Sequence, residues 1–95
     1  MLKMEQRHLN IVENILQKYP YEIAAFGSRV RGNSKRLSDL DLCVMQPISD
    51  LVLGNMQEDF EESDLPFTVD IVRWDRCSDA FKKCIQNDLI IIKIR

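Results

Sequence analysis

Ile23-Ala24-Ala25-Phe26-Gly27-Ser28-Arg29-Val30-Arg31-Gly32, continued from Asn33 through Leu37 into Ser38-Asp39-Leu40-Asp41-Leu42, is the stretch on which the fold turns. Its apolar start, Ile23 to Phe26, reads as a buried strand. Gly27 can then adopt a backbone conformation closed to residues with a side chain, and lets a ligand approach the main chain. Ser28 brings a hydroxyl to the start of a short helix, whose unbonded N–H groups attract an anion. Arg29, Arg31, Lys35 and Arg36 make the following loop basic, with no acid between Ser28 and Ser38. Asp39 and Asp41 come next, and a spacing of two puts both on one face of a strand. A phosphate cradle, a basic loop and a carboxylate pair so close together point to a nucleoside triphosphate held with a divalent metal.

Downstream of that stretch the pattern predicts a strand from Asp39 to about Met45. Leu40, Leu42 and Val44 face the core, and Asp39, Asp41 and Cys43 face the other way, on a face that starts at the site. Ser49 or Asp50 caps a helix carrying Leu51 or Val52, Met56 and Phe60 at helical spacing. The acidic run Glu58, Asp59, Glu61, Glu62 reads as a solvated helix face. A third strand, about Phe67 to Arg73, points Phe67, Val69 and Ile71 one way and Asp70 the other. A carboxylate between Val69 and Ile71 is poor strand chemistry by propensity and calls for a reason. Ser78 or Asp79 opens a short helix to about Gln86 with Phe81 and Ile85 inward. The tail Leu89 to Ile94 is apolar enough to add a strand or pack along an edge. Upstream, Leu9, Val12 and Leu16 mark a helix from about Lys3 to Lys18, stopped by Pro20. His8 and Trp74 read as packing or surface residues. The fold class expected is α/β (α+β): a mixed sheet of about three to five strands with helices packed mainly on one face.

Composition narrows the functions this fold could serve. The 95 residues suit one domain with a modest core, so 1–95 is read as a single unit. A net charge of −2 argues against broad electrostatic binding of nucleic acid, so the basic loop is a local feature fitted to one polyphosphate. Three cysteines without a C-x-x-C pair, and a single histidine, indicate neither a disulfide framework nor a zinc site. No stretch has the length of a signal-peptide core or a membrane span, so a cytoplasmic protein with no membrane partner is expected.

Gly27-Ser28, Arg31-Gly32 and Ser38-Asp39-Leu40-Asp41-Leu42 resemble the signature of the polymerase-beta-like nucleotidyltransferases. With Ser63-Asp64-Leu65-Pro66-Phe67 and Val69-Asp70-Ile71-Val72 included, the chain resembles their minimal members over nearly its whole length. It is most similar to the group paired with a HEPN-domain protein as an antitoxin–toxin module. That resemblance implies phosphate contacts at Gly27 and Ser28, with Arg31 matching a commonly basic position. It implies Mg²⁺ ligands, in a two-metal site, at Asp39 and Asp41, and a third catalytic acid at Asp70. Arg29, Lys35 and Arg36 are phosphate candidates from charge alone. Leu37 stands where relatives carry an aromatic residue.

The activity implied is that of an antitoxin-type enzyme moving AMP from ATP to a hydroxyl, that of a tyrosine, on a HEPN-type ribonuclease toxin. On this reading the partner supplies the acceptor site, because the chain has no further segment to form one. A binding module that neutralises the toxin without catalysis is the alternative. Transfer to a small molecule is a third reading.

Overall fold

The computed structural model of the chain describes residues 2–32, 35 and 37–95. Among the described residues four helices and four strands alternate: α1 (Gln6–Leu16), β1 (Ile23–Phe26), α2 (Ser28–Arg31), β2 (Leu40–Val44), α3 (Asp50–Glu61), β3 (Val69–Arg73), α4 (Asp79–Ile85) and β4 (Ile90–Lys93). The strands form one mixed sheet in the order β3-β2-β1-β4. β1 pairs antiparallel with both β2 and β4, whereas β2 and β3 run parallel, joined by α3 as a crossover. The apolar tail thus becomes β4, an edge strand laid against β1. Mixed topology with three of the four helices drawing on one core matches the fold class expected from the pattern.

Local chemistry accounts for the helix boundaries. Ser49 Oγ accepts the Val52 N–H at 3.2 Å and starts α3, and Ser78 Oγ accepts the Phe81 N–H at 3.1 Å and starts α4. Asp50 and Asp79 follow these caps, where a negative charge complements the helix dipole. α1 is shorter than its periodicity suggests. It begins at Gln6, because the chain before it is drawn into extended contact with α2 through Lys3 N–H donating to Arg29 O at 2.8 Å. Within α3, Met56 and Phe60 are buried and Val52 half-buried, while Leu51 turns out to solvent.

The two faces of the sheet are covered unequally. On one, α1 and α3 contribute Val12, Ile15, Leu16, Met56 and Phe60 to a core with Ile23, Ala25, Leu40, Leu42, Val44 and Ile71. On the other, α4 lays Ile85 against Phe26 and Cys43, with Val72, Trp74 and Leu89 around them. Beyond Asp41 the face that carries the site does not stay open, since Cys43 is fully buried under α4. Burial, and secondarily the neighbouring Cys77, push the Cys43 thiol up to about 12, so it behaves as a small apolar side chain.

Candidate functional site

One edge of the sheet gathers the carboxylates and the glycine turn singled out in the sequence. β1 ends there, and β2, β3 and β4 begin there. Register decides which side chains meet. Asp41 lies opposite Phe26 on one side and opposite Asp70 on the other. In-register neighbours share a face, and strands stand ~4.8 Å apart, so Asp41 and Asp70 are side by side. Asp39, two residues before Asp41, lies just ahead of β2 rather than within it. Asp39 and Asp70 are exposed, and Asp41 is half-buried.

Gly27 is fitted to this edge for two separate reasons. Its φ of +83° is one that residues with side chains rarely adopt, and a Cβ there would run into Asp41 Oδ2. The glycine therefore makes the room that the Asp41 carboxylate occupies. α2 is a single turn. Gly27 O accepts both the Val30 and Arg31 N–H groups at 3.0 Å, and Gly32, at φ +85°, closes the turn by donating to Ser28 O at 3.0 Å. Ser28, half-buried, sits at the head of that turn, next in the chain after Gly27.

The electrostatics follow from the crowding of like charges. Burial raises the Asp41 pKa most, and the negative charges of Asp70 and Asp39 raise it further, while Arg31 pulls it back. A carboxylate group held among two others, with one cation in range, is a set of hard oxygen donors of the kind Mg²⁺ prefers. As they lie, the described residues include no group of three or more His, Cys, Asp or Glu side chains close enough together to hold an ion. Asp41 and Asp70 stand in register on neighbouring strands, and with Asp39 just ahead of β2 they supply three hard carboxylate donors. On that basis the donor set fits a divalent cation.

The structure divides the basic candidates. Arg31 is exposed and makes a 3.1 Å ion pair with Asp88, which lies just before β4 at this same edge. Arg29 goes elsewhere, and the expectation of a phosphate contact for it is corrected. It is only 4% exposed, and its Nε and Nη2 donate to Ser38 O at 2.9 and 2.7 Å. Its Nη1 donates to Lys3 O at 2.8 Å, and the guanidinium stacks on Phe67, 4.1 Å from the ring centroid. Lys35 is exposed, and its backbone N–H donates to Ser38 Oγ at 2.7 Å. Arg36 lies outside the described residues, and Leu37 is exposed.

Asp88 and Phe67 were not legible as site residues in the sequence. Asp88 belongs to no motif and meets Arg31 across 57 positions. Phe67 reads as an ordinary inward strand residue, because its partner is a cation hidden in the loop motif. His8, read as a packing residue, meets the Phe67 ring edge-on at 5.7 Å. A 490 Å³ hollow beside the end of β3 is lined by Asp50, Arg73, Arg76, Cys77 and Phe81 among others, and by none of Asp39, Asp41 and Asp70. It has no part in this arrangement.

The nucleotidyltransferase domain family matches residues 6–94 of the chain. The chain is 38% identical over 96 residues to the "Probable protein adenylyltransferase MntA" of Haemophilus influenzae, an alignment covering 97% of this chain and 84% of that protein. Its fold is similar to a crystal structure from Sulfolobus solfataricus provisionally described as a nucleotidyltransferase. The TM-score is 0.52 at 22% identity, over 90% of this chain and 76% of the other. No described helix is long and apolar enough to cross a membrane.

Proposed function

The chain belongs to the nucleotidyltransferase domain family, and we propose that it transfers AMP from ATP to a tyrosine hydroxyl of a HEPN-domain ribonuclease toxin. The observation that carries this reading is the register that sets Asp41 beside Asp70, with Gly27 leaving room for the Asp41 carboxylate. In it, Gly27, Ser28 and Arg31 hold the triphosphate, and Asp39, Asp41 and Asp70 hold Mg²⁺. When bound, Mg²⁺ neutralises charge that develops on the phosphate oxygens.

The remaining work falls to the chain's own groups. Their main contribution is to position the nucleotide and stabilise charge. The acceptor oxygen forms a bond to the α-phosphorus. The bond from that phosphorus to the bridging oxygen breaks, and pyrophosphate leaves with the electron pair. Asp70 receives the acceptor proton, directly or through a water. The exposure of Asp39 and Asp70 supports an acceptor delivered by another molecule, since the edge is open to approach. The name of the Haemophilus relative, a protein adenylyltransferase, supports a protein as that acceptor.

Incubating the chain with ATP, Mg²⁺ and the toxin, then weighing the toxin, tests the proposal. A gain of one or more AMP units is expected, located on tyrosine. No gain, with nucleotide bound to the chain, would sink it. Asp70→Asn separates catalysis from mere binding. If that variant still neutralises the toxin at equal abundance in cells, complex formation is the mechanism.

A further inference from the structure

Arg29 is the one buried charge among the described residues, and it reaches both segments that deliver the carboxylates. Its two donors to Ser38 O grip the peptide immediately before Asp39. Its flat face lies on Phe67, three residues before Asp70. Between these two anchor points, the Leu40 N–H donates to Thr68 O at 2.9 Å and joins the same two segments. A third arm, to Lys3 O, fastens the guanidinium to the N-terminal segment.

We propose that Arg29 is a positioning residue for the metal-binding carboxylates, holding Asp39 and Asp70 in place through the Ser38 backbone and the Phe67 ring. The proposal rests on the functional reading above. At 4% exposure the guanidinium has no surface to offer a nucleotide, so a direct phosphate contact is excluded in this arrangement. Burying a cation is costly unless hydrogen bonds and opposite charge offset it. Here carbonyl oxygens and a π face supply the compensation, with Asp39 next in the chain after Ser38. A planar fork can bond one carbonyl through two nitrogens while stacking on a ring. An ammonium is a point donor and cannot do both. The arginine is therefore chosen for shape as well as charge, and what its shape holds is the distance between the lead-ins to β2 and β3.

Arg29→Lys keeps the charge and loses the fork. For a folded variant, the expectation is about a tenfold rise in the Mg²⁺ concentration giving half-maximal AMP transfer, with a lower kcat. The KM for ATP at saturating Mg²⁺ should stay within about twofold. Mn²⁺ binding to the protein alone, followed by electron paramagnetic resonance, should weaken in parallel. Phe67→Leu removes the ring and leaves the hydrogen bonds, so a smaller shift of the same kind is expected, and it serves if Arg29→Lys does not fold.

A raised KM for ATP with unchanged Mg²⁺ dependence would overturn the proposal and make Arg29 a nucleotide contact. Unchanged Mn²⁺ affinity in the folded variants would also overturn it. If the wild-type chain binds Mn²⁺ but transfers nothing, the functional reading fails, and the Mn²⁺ affinities of the variants still decide the role of Arg29. If it binds no Mn²⁺ even with nucleotide, both fall.

Discussion

The two faces of the sheet divide the labour of the molecule. Beneath α1 and α3, thirteen buried residues form the main core, all apolar except for the tyrosine hydroxyl of Tyr19, which donates to Asp59. On the other face a smaller cluster, Phe26 and Cys43 under Ile85 of α4, does the same for one half, and carboxylates occupy the other half. A seven-residue helix spans only about 10 Å, which leaves the start of β2 and β3 uncovered. The face that contributes little to stability is the one free to hold charges close together. Alternating side chains make this possible: the strands that place Leu40 and Leu42 in the large core place Asp41 at the open edge.

Substitutions can break that division from either side. Asp41→Asn should reduce AMP transfer about a thousandfold, or ~4 kcal/mol of barrier, while leaving the melting temperature of the metal-free chain unchanged or higher. Activity assays beside thermal unfolding check this, and a large loss of stability would show that Asp41 holds the fold. Leu42→Ala, one position along, should do the reverse. It should destabilise the chain by about 2–5 kcal/mol in denaturant titration, because the residue is fully buried in the larger core. Gly27→Ala joins the two effects. Its backbone conformation, φ +83° with ψ −158°, is disfavoured for alanine by roughly 1–3 kcal/mol, and the new methyl displaces the Asp41 carboxylate. Transfer should fall by far more than stability alone explains.

On the α4 face, Ile85→Val should cost only about 0.5–1.5 kcal/mol. The smallest effect is that of pH. The Asp41 pKa is raised in the fold, so its protonated form is the one the fold favours. Its contribution is complete at low pH and is lost as pH rises from the ordinary carboxylate value through the folded one. The metal-free wild type should therefore lose stability over that window relative to Asp41→Asn. Melting curves between pH 4 and 7 compare them, and added Mg²⁺ should narrow the difference.

Much of the candidate site was legible because its signals are local. Gly27-Ser28 follows an apolar strand, Asp39 and Asp41 are two apart, and Asp70 interrupts an apolar run. Each is visible within a few residues, so their joint presence at one edge could be expected before the sheet was known. Arg29 shows where local reading stops. By charge alone, nothing in the sequence tells Arg29 from Lys35 or Arg36, and only the resemblance set Arg31 apart. Only the path of the chain turns Arg29 inward under Phe67 and leaves Arg31 exposed beside Asp88. Cys43 shows the same limit, because its burial depends on a helix more than thirty positions later.

By itself the sequence determined the order of helices and strands, which side chains alternate into the main core, and the chemistry available at the β1–β2 turn. These depend on periodicity, capping residues and glycine conformation, all short-range. Only the tertiary structure decided that β4 lies outside β1, that Asp41 stands opposite Asp70, and that one arginine of the basic loop is buried while another is exposed beside Asp88. Those outcomes depend on register and on contacts across dozens of residues, where the energy of packing rather than local preference selects the partner.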